Sequence, residues 1–154
     1  RHHVHPDAIG LPVPLAGQGR VSKRTMGYEL ANNLRAENSI RALRMAINGR
    51  EYTERKLIYH SGRGLQYFTP AYTETLDDHN IRISMTSRYD PYENAIAERV
   101  NGIMKGEFDL EDEFADFKQA KRAVKESVAV YNGLRPHLSC GYKTPKAGAF
   151  TARF

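Results

Sequence analysis

Glu98 is followed by Asn101 three residues on and by Lys105 seven residues on. In a helix those offsets bring the three side chains close to one face about two turns long. The chemistry on offer there is a carboxylate for a hard cation, with an amide and an ammonium that can meet a phosphate. By periodicity alone a single glutamate on a helix face is a solvated residue, so its surroundings must decide. Upstream, Tyr59-His60-Ser61-Gly62-Arg63-Gly64-Leu65-Gln66-Tyr67 sets a hydroxyl, an imidazole and a guanidinium around a glycine-rich turn. A serine hydroxyl is a poor Mg2+ ligand and imidazole prefers softer metals. Asp7, beside Pro6, reads either as a ligand or as a solvent-facing turn residue. His2, His3 and His5 crowd the start without a matching ligand set, which favours a frayed terminus over a metal site. Cys140 is the single cysteine, which excludes an intramolecular disulfide and a multi-cysteine zinc site and suits a reducing cytosol.

The elements that must position these residues follow from pattern. With 154 residues and 40% hydrophobic content the chain is expected to form one domain with a real core. No apolar run approaches a bilayer span and no signal peptide is visible, so the expected location is cytoplasmic, away from membranes. Residues 1–22 read as an irregular N-terminal segment broken by Pro and Gly, at best with a short edge strand near Ile9–Val13. A strand is expected over Arg24–Leu30, then a helix carrying Ala36, Ile40, Leu43 and Ile47 up to a stop at Gly49. Lys56–His60 reads as a short strand. Thr69 offers an N-cap with Pro70 at the first helical position, opening a helix to about Asp78. Ile81–Met85 alternates as a half-buried strand. Ile96, Val100 and Ile103 mark a helix from about Glu93 to Lys105. The last helix, about Glu113–Tyr131, is expected to bury Phe114, Phe117, Val124, Val128 and Tyr131 and to end at Asn132-Gly133. Residues 133–154 are expected to be an extended basic tail. Strands alternating with helices make this an α/β domain around a mixed sheet.

Two blocks carry a specific resemblance: the segment from Tyr59 to Tyr67, and Asp90-Pro91-Tyr92-Glu93-Asn94-Ala95-Ile96-Ala97-Glu98-Arg99-Val100-Asn101-Gly102. Together with Tyr131-Asn132, Arg135-Pro136-His137 and Gly141-Tyr142-Lys143-Thr144-Pro145, they resemble the integrase-like catalytic core of bacterial insertion-sequence transposases of the DDE type. The resemblance runs from about Val21 to Tyr142. It implies an RNase H-like mixed sheet flanked by helices over 23–132, with an incomplete or disordered first β-hairpin. It further implies three carboxylates holding two divalent ions, Mg2+ or Mn2+, for in-line phosphoryl transfer on DNA. Glu98 takes the place of the family's glutamate, as a catalytic and metal-binding residue. Lys105, at a position where the family keeps a basic residue near DNA, is assigned with Asn101 and Arg63 to DNA contact.

The chain departs from the family at two places. The family's second aspartate falls on position 62, which 35 residues separate from Glu98, and position 62 is glycine. Glycine supplies no ligand, so strand transfer is expected to be absent or very weak and metal binding impaired. The family's first-strand motif carries a tryptophan, whereas this chain has none; its nearest match is Val4-His5-Pro6-Asp7-Ala8-Ile9-Gly10, with Asp7 as the candidate ligand. Only 14 residues, Ala8–Val21, separate Asp7 from Ser22, and a deletion or frameshift scar explains that interval best. The expected function is DNA integration during transposition, with catalysis uncertain; the alternative is a non-catalytic remnant that binds DNA or the intact transposase. No DNA-end recognition domain precedes the core, so DNA binding is expected to be weak and without sequence choice. The net charge of +5 favours a polyanionic partner, although interleaved acidic and basic residues fit a solvated surface equally well. Multimers are implied by the resemblance. Lys118, Lys121, Arg122 and Lys125 form a basic face on the last helix that fits DNA contact or plain solvation alike. Tyr131, Tyr142 and His137 are expected to pack rather than react.

Overall fold

In the computed structural model the described residues are 15–16, 23–31, 35–50, 53, 56–61, 64–85, 95–110 and 113–151. Their strands are β1 (Leu15–Ala16), β2 (Leu57–Ser61) and β3 (Ile81–Met85), and their α-helices are α1 (Ala36–Asn48), α2 (Pro70–Asp77), α3 (Ala95–Glu107), α4 (Phe117–Gly133) and α5 (Pro145–Thr151). The sheet order is β1-β2-β3. β1 runs antiparallel to β2, with Leu15 opposite Tyr59, and β3 runs parallel to β2, from Leu57 opposite Ile81 to Ser61 opposite Met85. The sheet is therefore mixed, and α2 makes the crossover that a parallel pair requires. The edge strand expected near Ile9–Val13 lies outside the described residues, as does most of the expected first hairpin.

Strand and helix faces follow the periods of the sequence. Leu57 and Tyr59 are buried on β2 while Ile58 between them is 46% exposed, and Ile81 and Ile83 of β3 join the same core. That core closes with Ile40, Leu43 and Ile47 of α1 and Tyr72 and Leu76 of α2. Rings of Tyr59, Tyr67 and Tyr72 meet edge-on or tilted at 5.4 to 6.5 Å between centroids, a geometry that adds to plain area burial. A second cluster joins Val100, Ile103 and Met104 of α3 to Ala120, Val124, Val128 and Tyr131 of α4, with Leu30 and Leu110.

Helix ends show where side chains decide. α1 ends at the expected Gly49, whose N–H reaches the Met45 carbonyl at 3.1 Å. Pro70 opens α2 as expected, but the Thr69 side chain does not cap it; the hydroxyl donates back to the Gln66 carbonyl at 3.2 Å. α4 starts at Phe117 and not near Glu113. Asp116 accepts from the Gln119 N–H at 2.7 Å while Gln119 accepts from the Ala115 N–H at 2.9 Å, a reciprocal cap that sets the first turn. Phe117, expected in the core, sits in that turn and is 37% exposed.

Two further expectations are corrected. Residues 23–29 belong to no strand, and Lys23 sits in the left-handed region with φ 58°. Their backbone bonds to α4 side chains in place of a ladder: Asn132 accepts from the Thr25 N–H at 2.9 Å and donates to the Thr25 carbonyl at 2.8 Å, and the Tyr131 hydroxyl donates to the Lys23 carbonyl at 3.1 Å. The tail is not extended throughout, because Leu138–Cys140 forms a 3-10 turn and α5 follows with Pro145 at its start, packed on α4. Pro145 pre-sets the backbone angle of a first helical residue, a signal already present in the sequence.

Gly27 is where the segment 23–29 crosses α1. A β-carbon there would stand 2.0 Å from the Ala42 carbonyl oxygen, and helix backbone cannot give way as a flexible side chain can. Gly27→Ala is therefore expected to cost about 1–3 kcal/mol, read as a lower urea midpoint at unchanged slope. A midpoint equal to that of the native chain would show that segment and helix are not held in this contact.

Candidate nucleic-acid and metal site

β2 and β3 are parallel and finish side by side at Ser61 and Met85. Position 62 directly follows β2, and the chain that leads to α3 leaves from the same end of β3. The carboxyl ends of parallel strands are where α/β sheets place their ligands, because helix starts and loops converge there. Glu98 lies in the first turn of α3 and is exposed.

The packing of α3 fixes which way this face points. Val100, Ile103 and Met104 are 4%, 4% and 3% exposed. At about 100° per residue they cluster on the side opposite Glu98, while Lys105 returns to within about 20° of it. Lys105 is partly buried, and no described group pairs with it. Asn101 stands between them, partly buried, its Oδ1 buried without a hydrogen-bond partner. The structure thus brings together Glu98, Asn101 and Lys105 of the expected set. Asp7, Gly62 and Arg63 lie outside the described residues.

Among the described residues the donor set does not complete a two-ion centre. Glu98 is the only described carboxylate of the expected three, position 62 is glycine, and no described group of three or more His, Cys, Asp or Glu side chains could hold a metal. No catalytic step is therefore derived through a metal. The tyrosines near this end of the sheet supply no acid or base at neutral pH, since burial raises the Tyr59, Tyr67 and Tyr72 hydroxyls above their ordinary value.

The C-terminal part of the chain holds groups whose partners the sequence did not reveal. Arg135 grips Glu107, the last residue of α3, through both carboxylate oxygens, Nε to Oε2 at 2.6 Å and Nη2 to Oε1 at 2.5 Å. The pairing lowers the Glu107 pKa and raises that of Arg135. Arg135 Nη1 also lies 3.2 Å from His137 Nε2. His137 is 8% exposed and meets the Tyr131 ring edge-on at 5.1 Å. Burial, then the Arg135 and Lys23 charges, lowers the His137 pKa. Burial also pushes the Tyr131 hydroxyl up to about 12. Tyr131 and His137 pack as expected, whereas Tyr142 is 73% exposed. It follows Gly141 in the left-handed region, with φ 60°, and the turn carries its side chain outward. The sequence showed Arg135 and His137 only as a short motif, with nothing to link them to a residue 28 positions upstream.

On α4 the four expected basic residues are all exposed. Lys121 reaches Glu29 at 4.0 Å and Arg122 reaches Glu126 at 3.9 Å, loose contacts of the kind worth little in water. No helix among the described residues is long and apolar enough to cross a membrane.

The mixed sheet with crossover α2 and flanking helices has the fold of integrase catalytic cores. An integrase core domain profile matches residues 79–145, which include α3 and α4. The curated proteins it resembles are bacterial insertion-sequence transposases. It is 26% identical over 126 residues to the transposase for insertion sequence element IS904 of Lactococcus lactis, covering 81% of this chain and 49% of that protein. It is 34% identical over 88 residues to the putative transposase InsK for element IS150 of Escherichia coli K12, covering 57% and 31%. The chain thus spans at most about half the length of these relatives. Among solved structures, a chain of the simian T-cell lymphotropic virus intasome in complex with PP2A regulatory subunit B56 gamma matches with TM-score 0.64 at 20% identity, over 82% of this chain and 44% of that one. The HTLV-2 integrase catalytic core domain in complex with magnesium, in its trimeric form, matches with TM-score 0.57 at 17% identity, over 79% and 75%. At such identities the structural likeness speaks for the fold.

Proposed function

We propose that this chain serves DNA transposition as the core of an insertion-sequence transposase, binding DNA along the outward face of α3 while lacking strand-transfer activity. The observation that carries the reading is the orientation of α3. Its apolar side is buried against α4, so Glu98 and Lys105 share the side turned away from that core. Lys105 meets a phosphate, Asn101 and Arg63 support the DNA contact, and Glu98 and Asp7 are what remains of the ligand set for Mg2+ or Mn2+. Glycine at position 62 removes a charge and a ligand where the ions would meet. The same lesion favours the second reading, a remnant that binds DNA or an intact transposase without chemistry. The DNA partners are insertion-element ends and target DNA, engaged by a multimer, as synapsis of two ends requires.

Binding to phosphates releases counterions and must weaken as salt rises. Titrating a fluorescent duplex over a salt series is expected to show such a decline. Lys105→Ala is expected to weaken binding at every sequence tried and to reduce the salt slope by about 1. Absence of binding at low salt, or a Lys105→Ala slope equal to the native one, would remove this reading of the α3 face.

A further inference from the structure

The Arg135-Pro136-His137 motif has no part in the DNA contact proposed above, yet its side chains make the shortest polar contacts of the second core. Glu107 ends α3 nine residues after Glu98. Nine residues are about 180° around the helix and about 13.5 Å along it. Glu107 therefore points to the side occupied by Val100, Ile103 and Met104, away from the Glu98 and Lys105 face. Arg135 meets it there from just beyond α4, with a planar fork matched to both carboxylate oxygens. Arg135 is itself held, because its side chain is only 21% exposed and lies against the His137 ring. His137 in turn is wedged against Tyr131, whose hydroxyl is bonded to the Lys23 carbonyl. The segment following α4 thus fastens the end of α3 from behind.

We infer that Arg135 is a positioning residue: with Glu107 and His137 it forms a latch that fixes the rotation of α3, and so the direction in which Glu98 and Lys105 face. The inference rests on the reading of that face as the functional one, but the latch is measured without DNA. The buried stripe sets which side of α3 turns inward, and a bidentate ion pair at the helix end adds a contact with a single register.

The latch has a defined pH response. His137 faces Arg135 of its own segment, Tyr131 of α4, Lys23 of the segment 23–29, and Glu107 and Arg99 of α3. Neutral imidazole can accept from Arg135; imidazolium would be a second cation beside it. Because the folded-state pKa of His137 is lowered, proton uptake opposes folding. The stability carried by the neutral contact is fully present above the ordinary histidine value of 6.5, declines below it, and is lost as pH falls through the lowered folded-state value. Glu107, whose pKa is lowered from 4.5, stays ionised through this window, so a change between pH 7.5 and 5 reports His137 and not the carboxylate.

Amide hydrogen exchange on the whole chain tests this directly. In Arg135→Gln, the α3 amides are expected to exchange about tenfold faster, after correction for intrinsic rates, while α1 amides keep their native rates. Arg135→Lys, which keeps the charge and loses the fork, is expected to fall between. The double variant Glu107→Arg with Arg135→Glu is expected to return α3 to within about threefold of native, since the pair is restored in reverse. In the native chain, moving from pH 7.5 to 5 is expected to loosen α3 selectively, and His137→Gln is expected to abolish that step. Equal acceleration in α1 and α3, or no rescue by the reversed pair, would overturn the latch. Failure of duplex binding with these exchange results intact would instead count against the DNA reading alone.

Discussion

Gly62→Asp is expected to raise the affinity of this chain for Mn2+ by about tenfold or more, since ligand charge sets the affinity of an oxygen-ligand site. The gain is expected to disappear when Glu98→Ala is added. Both effects follow from the sheet. β2 and β3 run parallel and end together, so position 62 and the approach to α3 leave from the same edge. Glu98 is exposed and lies on the side of its helix opposite the packed residues. A carboxylate at position 62 would add an anionic ligand for a hard cation to that of Glu98. Calorimetric titration of Mn2+ into the native chain, Gly62→Asp and Gly62→Asp/Glu98→Ala measures both steps. An unchanged affinity in Gly62→Asp, or a gain that survives loss of Glu98, would mean that the two positions do not share a site.

Tyr131→Ala should be the most damaging of single truncations in the second core, by about 3–5 kcal/mol. Its ring has no exposed surface, packs with Val124 and Val128 of its own helix and meets His137 edge-on. Its hydroxyl is tied to the Lys23 carbonyl, so one side chain joins α4, the segment beyond it and the segment that starts at Lys23. Small domains are stable by about 5–15 kcal/mol in total, so this loss takes a large share. Tyr131→Phe keeps the packing and is expected to cost only about 1 kcal/mol, the net worth of a hydrogen bond. Urea unfolding of the two variants separates packing from bonding. A Tyr131→Ala chain within about 1 kcal/mol of native would contradict the place given to this ring.

Much of this architecture was legible in the sequence wherever one physical rule dominated. Ile81–Met85 was readable end to end because alternation over five residues has no helical counterpart. α1 was readable because Ile40, Leu43 and Ile47 fall on one stripe and Gly49 stops it. Helical offsets made it readable that Glu98, Asn101 and Lys105 share one helix, whereas nothing in those offsets gave them a role. The misreadings arose where partners distant in sequence take over. Residues 24–30 have the composition of a strand, yet Asn132 satisfies the backbone of Thr25 from 107 residues away. The start of α4 was placed too early because Glu113 to Asp116 carry the charge of a first turn, and only the Asp116–Gln119 exchange of bonds shows which residue caps it. Glu107 and Arg135 belong to no periodic pattern, and their pairing becomes visible only when α3 and α4 are packed. Tyr142 looked like a packing aromatic until its positive φ turned it outward.

The proposal that this integrase-like core lacks a working ligand set is tested most directly by strand transfer itself. The native chain would be incubated with a precut duplex donor and a supercoiled plasmid target in Mg2+ and, separately, in Mn2+, and joined products counted. The account predicts no product above a metal-free control in either ion. Joined product formed by the native chain, and abolished by Glu98→Ala, would contradict it.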